Sequence, residues 1–138
     1  MVEARQLLGL DVGKARIGVA RASSLARLAE PLMSIQTTSA LAALDKLTGE
    51  LNVESIVVGL PRNLKGDDTA QTAWVRDWVD TIKDKLGPTF YWQDEALTTK
   101  AAELHQQSSK DPVDVDAVAA AIILQNFLDS PQADRVVC

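Results

Sequence analysis

The stretch Leu7-Leu8-Gly9-Leu10-Asp11-Val12-Gly13-Lys14-Ala15-Arg16-Ile17-Gly18-Val19-Ala20 constrains the fold more than any other part of the chain. An apolar run ends in one acid, a glycine-centred turn follows, and a second apolar run leaves from Arg16. This is the pattern of a β-hairpin that opens a sheet. Asp11 is the exception within it. Burying even a neutral polar group without a partner costs roughly 2 to 7 kcal/mol, and a carboxylate more. Asp11 therefore points to a bound metal ion or to phosphate chemistry. The alternative is an Asp that accepts hydrogen bonds from the backbone of its own turn, and the rest of the chain decides between them.

Downstream the pattern alternates between strands and helices. Pro31 to Gln36 reads as a third strand, and Ser39 can cap a helix whose apolar face is Ala40, Leu44, Leu47 and Leu51. Ser55 to Leu60 is rich in β-branched residues, as expected of a central strand buried on both faces. Pro61, Asn63 and Gly66 form a loop. Asp67 or Asp68 can cap the next helix, with Val75, Trp78, Val79, Ile82 and Leu86 on its apolar stripe and Gly87-Pro88 as its stop. Thr89 to Gln93 is a strand ending in Asp94-Glu95, a helix follows from Thr98 or Thr99 to Gln107, and Pro112 to Leu128 is the last helix. The order of elements is that of an α/β sheet covered by helices and resembles the ribonuclease H-like fold, so a three-layer arrangement with a mixed five-stranded sheet flanked by helices is expected. One domain is expected over residues 1–138, with 130–138 as a flexible tail.

Composition narrows the chemistry. With 138 residues and 46% hydrophobic content, the chain can bury roughly two-thirds of its unfolded surface without disulfides. Cys138, the only cysteine, is the last residue, which suits a reducing cytoplasm and an idle thiol. No secretory signal is expected at the N-terminus. The apolar run from Ala117 to Leu124 is far shorter than the ~20 residues of a membrane span, so no membrane partner is expected. His105 is the only histidine, which leaves His/Cys zinc sites and Ser-His-Asp catalysis without support. The net charge is −5, unevenly spread: residues 1–65 carry eight Lys/Arg against six Asp/Glu, net +2, and residues 66–138 carry six against thirteen, net −7. A basic strip before residue 30, made by Arg5, Lys14, Arg16, Arg21 and Arg27, beside an acidic site suits an enzyme that handles a polyanion through metal ions.

Two further acids join Asp11 by position. Glu95 closes an apolar strand as Asp11 does, and Asp94 beside it must point to the opposite face if the strand stays extended. Asp116 lies early in the last helix among Ala117, Ala119, Ala120 and Ala121, small residues that let a helix approach a sheet closely. Asp111 and Asp114 fit the simpler task of stabilising the first turn of that helix.

Four blocks in order resemble the bacterial YqgF family: Gly9-Leu10-Asp11-Val12-Gly13 with Arg16-Ile17-Gly18-Val19-Ala20; Ile56-Val57-Val58-Gly59-Leu60-Pro61-Arg62-Asn63 with Gly66; Asp94-Glu95-Ala96-Leu97-Thr98-Thr99; and Val115-Asp116-Ala117-Val118-Ala119-Ala120-Ala121 with Ile123-Leu124-Gln125. Members are named as Holliday junction resolvases or pre-16S rRNA nucleases. The resemblance spans about Leu7 to Asp129 and implies a ribonuclease H-like nuclease whose acidic triad, catalytic and metal-binding, falls on Asp11, Glu95 and Asp116. The chain departs from the family at Val12, where an aromatic is common, at Arg62, where an apolar residue is common, and at Ala96, where an Arg that could meet a phosphate is common. The loop before the last helix has only Lys110, whereas relatives are often richer in Lys and Gly there.

The implied chemistry is metal-dependent hydrolysis of phosphodiester bonds, most simply in the processing of the pre-16S rRNA 5′ end, with a Holliday junction resolvase or another DNA nuclease as the alternative. Two divalent ions roughly 3.5 to 4 Å apart can stabilise the attacking and leaving oxygens, and Mg²⁺ or Mn²⁺ suits three carboxylates. Nucleic acid is the expected partner, RNA favoured over DNA. Lys14, Arg16, Arg62, Asn63 and Lys65 are candidates to contact it, and Trp74, off the main stripe, is a candidate to stack on a base or meet a second subunit. A four-way junction would be cut symmetrically by a homodimer. An actin-like nucleotide binder would need a second lobe and a second phosphate loop. A non-catalytic nucleic-acid-binding domain of this fold would have no need of all three acids.

Overall fold

The computed structural model describes residues 5–95, 114–131 and 135–138. The elements run β1 (Gln6–Val12), β2 (Arg16–Ser23), β3 (Glu30–Gln36), α1 (Ala40–Leu51), β4 (Val53–Leu60), α2 (Ala70–Ile82), β5 (Thr89–Asp94), α3 (Val115–Asp129) and β6 (Val136–Val137). The expected helix from Thr98 or Thr99 to Gln107, together with Ala96, His105, Lys110 and Asp111, lies outside the described residues.

The strands form one mixed sheet of order β3-β2-β1-β4-β5-β6. The hairpin predicted from the opening stretch is present: β1 pairs antiparallel with β2, and the Gly13 N–H closes the turn on the Arg16 carbonyl at 2.9 Å. β1, β4 and β5 are mutually parallel. Ile56 to Leu60 is buried throughout, as its β-branched composition requires of a central strand. The sheet has six strands rather than five. Val136 and Val137 pair with Trp92 and Tyr91, and the Cys138 N–H donates to the Phe90 carbonyl at 2.9 Å. The end of the expected tail is thus a short edge strand: two β-branched residues suffice to add one when a paired neighbour supplies the ladder.

One face of the sheet carries α1 and α2 over large aliphatic side chains, among them Leu8, Leu10, Ile17, Leu44, Ile56, Val75 and Val79. The other carries α3, which packs through Ala120, Ile123, Leu124 and Phe127. Two helix starts differ from expectation. Ser39 precedes α1, but after a 3₁₀ turn over Thr37–Ser39, and its hydroxyl makes no capping bond. Thr69, rather than Asp67 or Asp68, caps α2: its hydroxyl accepts the Thr72 N–H while the Thr72 hydroxyl accepts the Thr69 N–H. The Asp67 N–H donates to the Asn63 side-chain oxygen in the preceding loop, and the Asp68 carboxylate pairs with Arg62 of that loop and Arg76 of α2. α3 starts at Val115, with Asp114 as its cap, its carboxylate accepting the Ala117 N–H at 3.1 Å.

Candidate active site

The alternation of β1 sends Leu8, Leu10 and Val12 into the α1/α2 core, and therefore sends Asp11 to the α3 face. Asp11 pairs in register with Gly18 of β2. A Cβ on Gly18 would stand 1.8 Å from the Asp116 carbonyl oxygen, so the first turn of α3 lies directly on this backbone. Gly9 and Gly59 continue the track: a Cβ on either would come within 2.7 Å of Leu124 or 2.4 Å of Ile123. The N-terminus of α3 is pinned from outside the track by the Ser34 hydroxyl, which donates to the Asp114 carboxylate at 2.6 Å. At the far end the Gln125 amide receives the Ala29 N–H at 2.9 Å and donates to the Arg27 carbonyl at 3.2 Å. Small residues beneath and polar ties at both ends bring Asp116 over the end of β1.

Asp11 is half-buried, and its carboxyl is pushed up from 3.8 to about 6, first by burial, then by the charge of Asp116, then by that of Glu95. The Arg16 Nε lies 3.0 Å from the Asp116 carboxylate. The Glu95 N–H donates to the Leu60 carbonyl at 3.2 Å, and its carboxylate accepts from the Asn126 amide at 2.8 Å. Asp94 turns the other way, 3.2 Å from Arg62, so the Asp-Glu pair divides between two faces as the extended strand requires. Asp11 and Asp116 are thus brought together, with Glu95 near enough to act on Asp11. Among the described residues no three acidic, His or Cys side chains close around one point as a metal cage would. Arg16 and Asn126 engage the two outer carboxylates. As a donor set, three carboxylates, of which Asp11 resists ionisation, fit a hard divalent cation, which would offset their mutual repulsion.

The five candidate contact residues divide sharply. Lys14 and Lys65 are exposed on loops at this end of the sheet. Arg16 is held by Asp116. Arg62 lies between Asp68 and Asp94, at 3.4 and 3.2 Å, and donates to the Gly66 carbonyl at 3.3 Å. The Asn63 side-chain oxygen receives the Lys65 and Asp67 N–H groups at 3.0 and 2.9 Å, so it builds its own turn. The basic strip before residue 30 is partly used inside the fold as well. Arg5 pairs with Glu54, and Arg27, at a left-handed φ of 55°, reaches the Leu128 carbonyl at the end of α3. Trp74 packs partly against the α2 core. Sequence reasoning misses Asn126, although two amides interrupting the apolar run of α3 are a visible signal. It also misses the tie from Ser34 to Asp114, which has no signature in the sequence.

Comparison with known proteins bears on the family and the fold. A sequence model of the RuvX family, described as Holliday junction resolvase, matches residues 5–130. Curated relatives called "Putative pre-16S rRNA nuclease" include those of Chloroflexus aggregans, 39% identical over 90% of this chain and 93% of the relative, and Roseiflexus sp., 38% identical over 93% and 96%. Among solved structures, Thermus thermophilus RuvC in complex with a Holliday junction substrate superposes with a TM-score of 0.62 at 14% identity, covering 97% of this chain and 99% of that one. The likeness is in fold, and the fold is ribonuclease H-like.

Proposed function

The chain belongs to the RuvX family, and on that premise we propose that it is a divalent-metal-dependent nuclease that hydrolyses phosphodiester bonds of RNA, trimming the 5′ end of pre-16S rRNA in the cytoplasm. The observation that carries the catalytic reading is Asp11, a half-buried carboxyl raised to about 6 by its surroundings and by two neighbouring acids. A strand residue so disfavoured as an anion is suited to gain a cation as partner.

In this reading Asp11, Asp116 and Glu95 hold Mg²⁺ or Mn²⁺. Held there, such an ion would provide a hydroxide-like nucleophile and offset charge on the attacking and leaving oxygens. Each residue has a distinct task. Asp11, fixed in β1, gives up its remaining proton as positive charge enters. Asp116 would turn from Arg16 to the ion, and Arg16, largely exposed beside the site, would then be free to meet a phosphate of the substrate. Asn126 orients Glu95 by donating to its carboxylate. Lys14 and Lys65 approach the backbone of the nucleic acid from the flanking loops.

RNA is favoured by the names of the relatives at 38–39% identity, and junction DNA by the fold-level likeness to RuvC. One experiment separates the readings. A single preparation is offered matched RNA, single-stranded DNA and four-way junction DNA with Mg²⁺ or Mn²⁺, with and without excess chelator. RNA cleavage that chelator abolishes is the expected result. Cutting confined to the junction transfers the substrate to DNA, and hydrolysis undiminished by chelator after repurification overturns the metal-dependent mechanism.

A further inference from the structure

Beside the acids, at the carboxyl ends of β4 and β5, lies a cavity of about 320 Å³ whose wall includes Arg62, Arg76, Arg135, Trp92, Phe127 and Asp94. Its size is at the lower end of the roughly 300 to 1,000 Å³ typical of small-ligand sites, and its place is where open α/β sheets meet ligands. The guanidinium of Arg76 lies 5.6 Å from the centre of the Trp92 ring, and that of Arg135 lies 4.3 Å from the centre of Phe127. These stacked contacts hold both cations at the wall. Asp68 and Asp94 serve Arg62, and Asp68 is also 3.8 Å from Arg76.

Two carboxylates therefore face three guanidiniums, and Arg135 is left without a carboxylate among the described residues. A second observation points the same way. Among the described residues, the buried side-chain polar atoms with no hydrogen-bond partner are the Nε of Arg62 and the Nε of Arg135, both in this wall. The Arg62 Nε is within ion-pair range of its acids but aligned with neither. Buried unmade donors are rare in native folds, and two in one cavity with surplus positive charge mark a place for an anionic acceptor.

We propose that this cavity is a phosphate subsite, in which the guanidinium groups of Arg62 and Arg135 meet a phosphate of the nucleic-acid chain neighbouring the one cleaved at the acids. It rests on the nuclease reading for the identity of its ligand, and on the orphaned donors for its existence. A phosphodiester carries one negative charge and several acceptor oxygens, which suits a wall with one more guanidinium than carboxylate among the described residues. Asp94 in its wall precedes Glu95 in the chain, so the cavity and the acids flank the same end of β5 from different sides. Arg62, paired with Asp68 and Asp94, contacts substrate here rather than on the loop surface.

The test uses the metal-free full chain labelled with ¹⁵N, so that nothing is cleaved. The arginine Nε–H signals are followed while the dinucleoside monophosphate ApA, adenosine 5′-monophosphate, inorganic phosphate or phosphate-free adenosine is added. Saturable shifts of the Arg62 and Arg135 signals with ApA or adenosine monophosphate, and none with adenosine, are expected, and the tighter ligand distinguishes an internal from a terminal phosphate. Arg135→Gln should weaken this binding about tenfold, the loss of one charge-assisted hydrogen bond, with Arg135→Lys intermediate. Absence of any shift in the wild-type protein overturns the subsite, even if the protein cuts RNA. Binding here by a protein that cuts no nucleic acid supports the subsite and overturns the nuclease reading instead.

Discussion

The two faces of the sheet are built on opposite principles. Toward α1 and α2 the strands present Leu8, Leu10, Ile17, Val19, Ile56 and Val58, and the helices answer with Leu44, Val75, Val79 and Ile82. Toward α3 they present Gly9, Gly18 and Gly59, and α3 answers with its own backbone at Asp116 and Ala120 and with Ile123 and Leu124 close on the sheet. Large side chains keep helix and sheet apart and give area-proportional stability, whereas small ones let backbone meet backbone and fix position. The acids lie on the second face because a carboxylate on a helix reaches a strand end only where the helix lies close.

The largest expected effect breaks that closeness. Gly18→Ala places a methyl group 1.8 Å from the Asp116 carbonyl oxygen, and a backbone oxygen cannot rotate aside as a side chain would. The first turn of α3 must lift, costing about 3 kcal/mol or more, and nuclease activity should be lost even in the folded fraction. Urea unfolding beside a cleavage assay checks it; an active, stable Gly18→Ala protein would show that α3 does not position Asp116. The counterpart on the other face is Leu44→Ala. Leu44 is fully buried, so its truncation should cost about 3 kcal/mol, yet the folded fraction should cut at the wild-type rate. Equal loss of specific activity in both variants would erase the distinction between the faces.

This contrast also explains what can be read from residues alone. Alternation in β1, the β-branched run of β4 and the stripe of α2 are periodic, so the architecture and the α1/α2 core follow from residue patterns. The position of Asp11 follows for the same reason, and so does the division of Asp94 from Glu95 between faces. What periodicity cannot carry is one-to-one contact between distant segments. That Arg16 pairs with Asp116, Asn126 with Glu95 and Ser34 with Asp114 depends on how far α3 slides along the sheet, which no local pattern records. The edge strand Val136–Val137 is illegible because two residues make no period, and Thr69 is hidden as a cap because two aspartates precede it.

A smaller effect probes the electrostatics of the α3 face. In the folded protein the Asp11 carboxyl titrates near 6, above its ordinary 3.8, so the folded state holds this proton more tightly than the unfolded chain. Ionising Asp11 is therefore destabilising. The penalty is absent below about pH 4, grows as pH rises toward 6, and levels off above that at no more than about 3 kcal/mol. Metal-free Asp11→Asn should accordingly match wild type at pH 4 and exceed it at pH 7.5, while cleavage is abolished. Added Mn²⁺ should raise the melting temperature of wild type more than that of the variant. A variant less stable than wild type at pH 7.5, but still active, would return Asp11 to the role of a turn acceptor.

The smallest effect has the opposite sign and uses the same kind of substitution as the largest. Gly49 lies in α1, exposed, and a Cβ built on it meets nothing within 4 Å. Its backbone is helical, so alanine fits without strain, and the glycine only adds freedom that folding must remove. Gly49→Ala should stabilise the protein by about 0.5 to 1 kcal/mol and leave cleavage untouched. Glycine is thus an incidental choice on the solvent side of α1 and a positional requirement where a strand meets the backbone of α3. Paired melts of Gly49→Ala and Gly18→Ala test that claim directly. If the two changes in melting temperature share a sign, closeness of approach is not what separates the faces, and the placement of Asp116 needs another cause.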